Sequence, residues 1–231
     1  MVASMSEPDH QRPGGATVDP VERLREIGVV PVVEIPSADV AVPLADALLE
    51  AGIGAIEITF RTPAAAEALA LIRRERPAML AGAGTILRPD QLDAAVAAGC
   101  QFVVTPGFSS RIVAGAQEAG VPIFPGVTTA TEVQAGLEAG LTVLKLYPAE
   151  LIGGVAFLKA LGAPFPEIGF LPSGGIDAGR LASYLEQRNV VACGGTWFVK
   201  KEWLVARDFA TIGRLAREAA AIVRQVRGER G

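Results

Sequence analysis

Along the chain an alanine-rich, helix-like stretch repeatedly gives way at a glycine to a short apolar run. The pattern is plainest in LLEAGIGAIEITF, AVAAGCQFVVTPG, AQEAGVPIFPGV and GLEAGLTVLKLYP. The turning glycines are Gly52, Gly99, Gly120 and Gly140, so successive intervals are 47, 21 and 20 residues. The first interval therefore holds two units, and the middle one ends its helix at Arg76-Pro77 instead. Each unit is one βα step. The glycine supplies the left-handed residue that stops a helix, and the apolar run that follows suits a parallel strand covered on both faces.

Read forward, the pattern predicts strands near 29–35, 55–59, 79–83, 102–105, 123–125, 143–146, 169–171 and 190–193. Helical periodicity falls near 38–51, 63–75, 89–98, 109–119, 130–139, 154–161, 178–187 and 207–227, with a short extra helix near 20–27. Eight alternating units argue for an α/β protein, a (β/α)8 TIM barrel with a short N-terminal helix. The competing architecture is an open doubly wound sheet. It would usually have fewer strands and a G-x-G-x-x-G fingerprint opening its first helix, and no such fingerprint is present here.

Composition narrows the chemistry. With 231 residues, half of them hydrophobic, the chain can fill a sizeable core. The polar opening MVASMSEPDHQRPGGATVD reads as a flexible leader over 1–19, leaving 20–231 as a single barrel domain. That leader holds His10, the only histidine, so the predicted body has no imidazole for a Ser-His-Asp or Cys-His nucleophile or for a His-ligated metal. No metal and no organic cofactor are expected. Cys100 and Cys193 lie apart beside glycines in apolar runs and read as small buried hydrophobes in a reducing compartment. A formal charge of -4 without a basic cluster argues against a nucleic-acid partner. The leader carries Glu7 and Asp9 and lacks a signal peptide's apolar core, and the apolar runs stop short of the roughly 20 residues that span a membrane. A cytoplasmic location away from membranes is the expectation.

In a barrel of this kind the working residues stand at the carboxyl ends of the strands. In LTVLKLYPA, alternation turns Leu144 and Leu146 outward and leaves Val143, Lys145 and Tyr147 inside. The chain has only four lysines among 21 basic residues, so a lysine in a core strand stands out. Lysine can attack a carbonyl as an amine and form a Schiff base, whereas arginine stays charged. By the same alternation Glu57 points inward from AIEIT, where a carboxylate beside a forming iminium can relay protons. A purely structural Glu57–Lys145 ion pair is the competing interpretation. Arg61, two residues past its strand, offers a fork for a carboxylate, with Thr85 nearby in the next strand end. The last two strand ends, Ser173-Gly174-Gly175 and Gly194-Gly195-Thr196, are glycine-rich turns where this fold commonly cradles phosphate.

As an ordered set, VVPVV, IEITFRT, GAGT, VVTPG, PGVTT, KLYPAE, PSGGI and GGTW resemble the 2-keto-3-deoxy-6-phosphogluconate (KDPG) and 4-hydroxy-2-oxoglutarate aldolase family, from about residue 21 to 224. The resemblance implies a class I pyruvate aldolase with Lys145 as Schiff-base lysine and Glu57 as general acid/base. It further implies Arg61 and Thr85 on the pyruvate carboxylate, Pro106 and Tyr147 lining the pocket, and Ser173, Gly174, Gly175, Gly195 and Thr196 near a distal phosphate. It implies a small keto-acid substrate and a homotrimer. KDPG is the expected substrate; 4-hydroxy-2-oxoglutarate, the phosphogalactonate epimer and a barrel that only binds a phosphorylated metabolite are the alternatives. Ser173, Thr196, Tyr147 and Ala156 depart tolerably from the family pattern. Glu34 is more awkward, because a carboxylate in the barrel mouth would repel a phosphate. The preferred expectation places it against a helix or solvent.

Overall fold

The computed structural model describes residues 19–228. The proposed leader, His10 included, lies outside the described residues apart from Asp19. That aspartate caps the first helix, α1 (Pro20–Ile27), its side chain accepting from the Val21 N–H, and Pro20 opens the first turn. Nine strands follow among the described residues, all pairing in parallel: β1 (Val29–Val33), β2 (Ala55–Thr59), β3 (Leu80–Gly84), β4 (Val103–Val104), β5 (Ile123–Phe124), β6 (Gly126–Val127), β7 (Val143–Leu146), β8 (Gly169–Pro172) and β9 (Cys193–Gly195). Between and after them run α2 (Ala41–Glu50), α3 (Ala65–Glu75), α4 (Pro89–Ala97), α5 (Ser110–Glu118), α6 (Ala130–Glu138), α7 (Gly154–Gly162), α8 (Ala178–Leu185), α9 (Lys201–Val205) and α10 (Phe209–Gly228).

Hydrogen-bonded neighbours run β5-β4-β3-β2-β1-β9 on one side and β6-β7-β8 on the other. The two arcs meet at Pro125, which separates β5 from β6, and through the bridges Phe170–Val190 and Ser173–Gly194. The result is a TIM-like barrel, with the fifth barrel strand in two pieces. Proline has no N–H to give the ladder, although the Pro125 carbonyl still accepts from Lys145 N at 2.9 Å. Gly52, Gly99, Gly120 and Gly140 all take positive φ, between 67° and 85°, as the repeat requires. The last strand departs from expectation. Val190 makes only an isolated bridge and the strand proper is Cys193–Gly195, because the polar Asn189 end belongs to the turn.

Two apolar clusters result. The larger lies between sheet and helices and takes Leu144 and Leu146, the outward residues of β7. The smaller fills the barrel interior with Val30, Ala55, Leu80, Phe102, Phe124, Val143 and Leu171, and Leu24 of α1 packs with it. The short helix before the first strand thus closes the interior, leaving the other end for chemistry. Cys100 and Cys193 are both free and buried. Burial pushes the Cys100 thiol up to about 11 and the Cys193 thiol up further, so neither is a thiolate near neutrality. Among the described residues no helix is long and apolar enough to cross a membrane.

Candidate active site

The central pair is brought together as the alternation demands. Lys145 Nζ lies 3.7 Å from Glu57 Oε1, with side chains only 9% and 6% exposed. The ammonium also stands over the Tyr147 ring, 5.3 Å from its centroid, where the ring's negative face favours a cation. Glu57 Oε1 has no hydrogen-bond partner within the protein. A buried acceptor left unpaired is costly, and such groups in native folds call for an explanation in strain, solvent or catalysis. The position of Glu57 depends on Gly84, since a methyl group built there would overlap the glutamate's Cγ, Cδ and Oε1. Glycine at the end of β3 is what lets the carboxylate lie across that strand.

Two chambers meet at this pair. A small one of about 20 Å³, the size for one water molecule, is lined by Glu57, Lys145, Ser173 and Gly194 together with interior apolar side chains. An open mouth of about 620 Å³ is bordered by Val32, Thr59, Arg61, Lys145, Tyr147, Ser173, Gly174, Thr196, Trp197 and their neighbours. Arg61 Nε donates to Thr85 Oγ1 at 3.2 Å. Thr85 has φ 57°, a left-handed backbone that β-branched residues avoid. Such strain, on the order of 1–3 kcal/mol, persists where the surroundings hold a residue for function.

The glycine turn after β8 is tied to the segment after β7. The Ser173 and Gly174 carbonyls accept from Ala149 N at 2.8 Å and Glu150 N at 3.1 Å. Glu150 is in turn held by the Tyr184 hydroxyl, which donates to Oε1 at 2.6 Å, and by Arg180 Nε at 2.9 Å from Oε2. No local pattern marks this brace, because its members lie 34 and 30 positions from Glu150. Gly175 packs on Glu150, Gly195 lies under the Trp197 ring, and the Pro106 carbonyl closely approaches Gly126. None of these three is among the residues bordering either chamber.

Glu34 corrects the expectation set for it. Its carboxylate borders the mouth instead of facing a helix or open solvent alone. It accepts a hydrogen bond from Lys201 Nζ at 2.6 Å. That bond outweighs the opposing effect of burial and, with the charges of Lys201 and Arg61 added, holds the carboxyl below the ordinary glutamate value. Glu34 is therefore ionised and paired at neutral pH. Lys200, Lys201 and Glu202 also border the mouth and went unremarked in the sequence. A signal was available: three of the four lysines in the chain, Lys145, Lys200 and Lys201, line this one cavity.

A closed barrel with a lysine and a carboxylate buried at its carboxyl end, beneath an open polar mouth, has the layout of a barrel aldolase. The KDPG and KHG aldolase family model matches residues 21–215. The 2-dehydro-3-deoxy-phosphogluconate aldolase of Treponema pallidum is 46% identical over 202 residues, covering 87% of this chain and 96% of that protein. The enzyme of the same name from Haemophilus influenzae is 43% identical over 204 residues, covering 88% and 96%. Among solved structures, the Legionella pneumophila KDPG aldolase, with pyruvate captured as a covalent carbinolamine, superposes with a TM-score of 0.82 at 36% identity, covering 86% of this chain and 97% of that one. The chain belongs to the KDPG and KHG aldolase family and is an aldolase, a carbon–carbon lyase.

Proposed function

We propose that this enzyme cleaves 2-dehydro-3-deoxy-6-phosphogluconate to pyruvate and glyceraldehyde 3-phosphate through a Schiff base on Lys145. The observation that carries the reading is the buried contact of Lys145 Nζ with Glu57 Oε1 at 3.7 Å, open to the mouth through Lys145. The amine of Lys145 attacks the C2 carbonyl, and loss of water leaves an iminium. Glu57 takes the C4 hydroxyl proton, the C3–C4 bond breaks, and its electron pair is taken up by the iminium as an enamine. The aldehyde departs, Glu57 returns the proton to C3, and hydrolysis of the resulting imine releases pyruvate and the free amine.

In this reading Arg61 and Thr85 hold the keto-acid carboxylate, Arg61 from the border of the mouth and Thr85 as its hydrogen-bond partner outside both chambers. Arginine forks match carboxylates in a bidentate manner, and the Arg61–Thr85 hydrogen bond fixes the fork's direction. Ser173, Gly174 and Thr196, which border the mouth, would take the distal phosphate, with Tyr147 as a wall. Gly175, Gly195 and Pro106 lie against Glu150, Trp197 and Gly126, outside both chambers, and take no ligand contact in this reading. Replacing Thr85 by glycine is expected to raise KM for the keto acid about tenfold, since a hydrogen bond to a charged partner contributes about 1.5–3 kcal/mol. Thermal stability should hold, because glycine accepts the left-handed backbone that threonine resists.

A second reading, cleavage of 4-hydroxy-2-oxoglutarate or another unphosphorylated acid, draws on the Glu34 carboxylate in the mouth. The Lys201 partner offsets that charge, and with Arg61, Lys145 and Lys200 the lining carries four basic groups against two acidic ones, Glu34 and Glu202. The balance favours an anionic tail. Pyruvate release in a coupled assay over a panel of 2-keto-4-hydroxy acids decides, with KDPG expected to show the highest kcat/KM. Release from none of them would leave only a binding barrel. Homotrimer formation and a cytoplasmic setting belong to the same proposal; sedimentation of the purified protein as a monomer would remove the former.

A further inference from the structure

We propose that Lys201 is the clamp for the substrate's terminal anion and that Glu34 is a built-in competitor, occupying Lys201 until a phosphate displaces it. The inference rests on the phosphorylated-substrate reading above and names residues outside the glycine turns. Lys201 opens α9, the five-residue helix after β9, and reaches back across the mouth to Glu34, just past the end of β1. The two positions are 167 residues apart and share the cavity bordered by Ser173, Gly174 and Thr196. The pair thus sits where the tail of a substrate anchored at Lys145 would arrive.

Its exposure makes exchange feasible. The Lys201 and Glu34 side chains are 54% and 36% exposed, whereas the Lys145–Glu57 pair is nearly enclosed. An ion pair so open to solvent is worth little, so trading a carboxylate for a phosphate dianion at the same ammonium costs little in pairing and gains in charge. Lys200 beside it lies 5.2 Å from the Trp203 ring centroid, so the two adjacent lysines are held by different partners. Glu34 then serves two ends. It keeps the Lys201 ammonium turned into the mouth when empty, and it disfavours ligands whose tail cannot outbid a carboxylate.

The test is binding of inorganic phosphate, by calorimetry, to the wild-type protein and to Glu34→Gln, Lys201→Met, Lys201→Arg and the Glu34→Gln/Lys201→Met double variant. Removing the competitor should tighten phosphate about threefold, the scale of an exposed pair. Lys201→Met should weaken it about tenfold or more, with Lys201→Arg recovering most of the loss. In the Lys201→Met background, Glu34→Gln should give no tightening, because the two act on one another. Weaker binding by Glu34→Gln alone, or equal tightening with and without Lys201, would overturn the proposal. In steady state, Lys201→Met should cut the kcat/KM ratio of phosphorylated to dephosphorylated keto acid at least tenfold, mainly through KM; an unchanged ratio also overturns it. Phosphate binding needs no turnover. The titration therefore decides this inference even if no keto acid yields pyruvate, the outcome that would instead remove the aldolase substrate reading.

Discussion

Lys145→Arg is expected to lower kcat by roughly 10⁴-fold or more while leaving a folded barrel, because arginine keeps the charge beside Glu57 but cannot form an imine. The choice of arginine matters. Among the described residues Lys145 and Glu57 are each other's only ion-pair partner, and both are almost fully buried. Lys145→Met would leave the Glu57 carboxylate buried alone, and breaking one side of a buried pair costs about 3–5 kcal/mol. Activity lost in the methionine variant could then reflect unfolding. The arginine variant separates the two causes. Borohydride reduction in the presence of pyruvate should add a covalent adduct to the wild-type enzyme at Lys145, read by mass spectrometry of peptides, and none to Lys145→Arg. An adduct that persists in the variant, or is absent from active wild type, would rule out imine catalysis through this residue.

What made Lys145 legible was the combination of strict period-2 alternation in β7 with a composition in which arginine is the usual cation. The structure bears out the geometry: Leu144 and Leu146 enter the outer core and Val143 the inner one. Glu57 was legible for the same reason. Glu34 was not, because VVPVV ahead of it is apolar at every position and has no polar residue to mark an inner face. An unbroken apolar run carries no phase, so the direction of the residue beyond it cannot be taken from pattern. The segment after β9 hid for a different reason. α9 is only five residues long, too short for a helical period, and its role comes from closing over the mouth, a long-range fact. Glycine turns were legible as turns, yet the pattern does not tell that Gly174 borders the mouth while Gly175 packs against Glu150. The same φ requirement is met in both, at 95° and 85°.

The second large effect is expected at Glu57, and it can be produced without touching its chemistry. Glu57→Gln removes the proton acceptor and should lower kcat by about 10²–10⁴-fold, the usual contribution of a positioned general base. Imine formation is less dependent on that carboxylate than enamine formation, so pyruvate should still be trapped by borohydride on Lys145. Exchange of the pyruvate methyl protons with deuterated solvent, followed by NMR, should nearly cease. Gly84→Ala retains both reacting groups but places a methyl where the Glu57 carboxylate lies, so the side chain must swing away from Lys145 Nζ. A misplacement of about 1 Å can cost on the order of 10²-fold in rate. Gly84→Ala should therefore reproduce most of the Glu57→Gln loss in exchange. If instead Glu57→Gln exchanges at the wild-type rate and shows only a lower melting temperature, the pair is structural and the base lies elsewhere. Loss of exchange in both variants, with trapping retained in both, would place the proton relay at the Glu57 carboxylate and make Gly84 the residue that positions it.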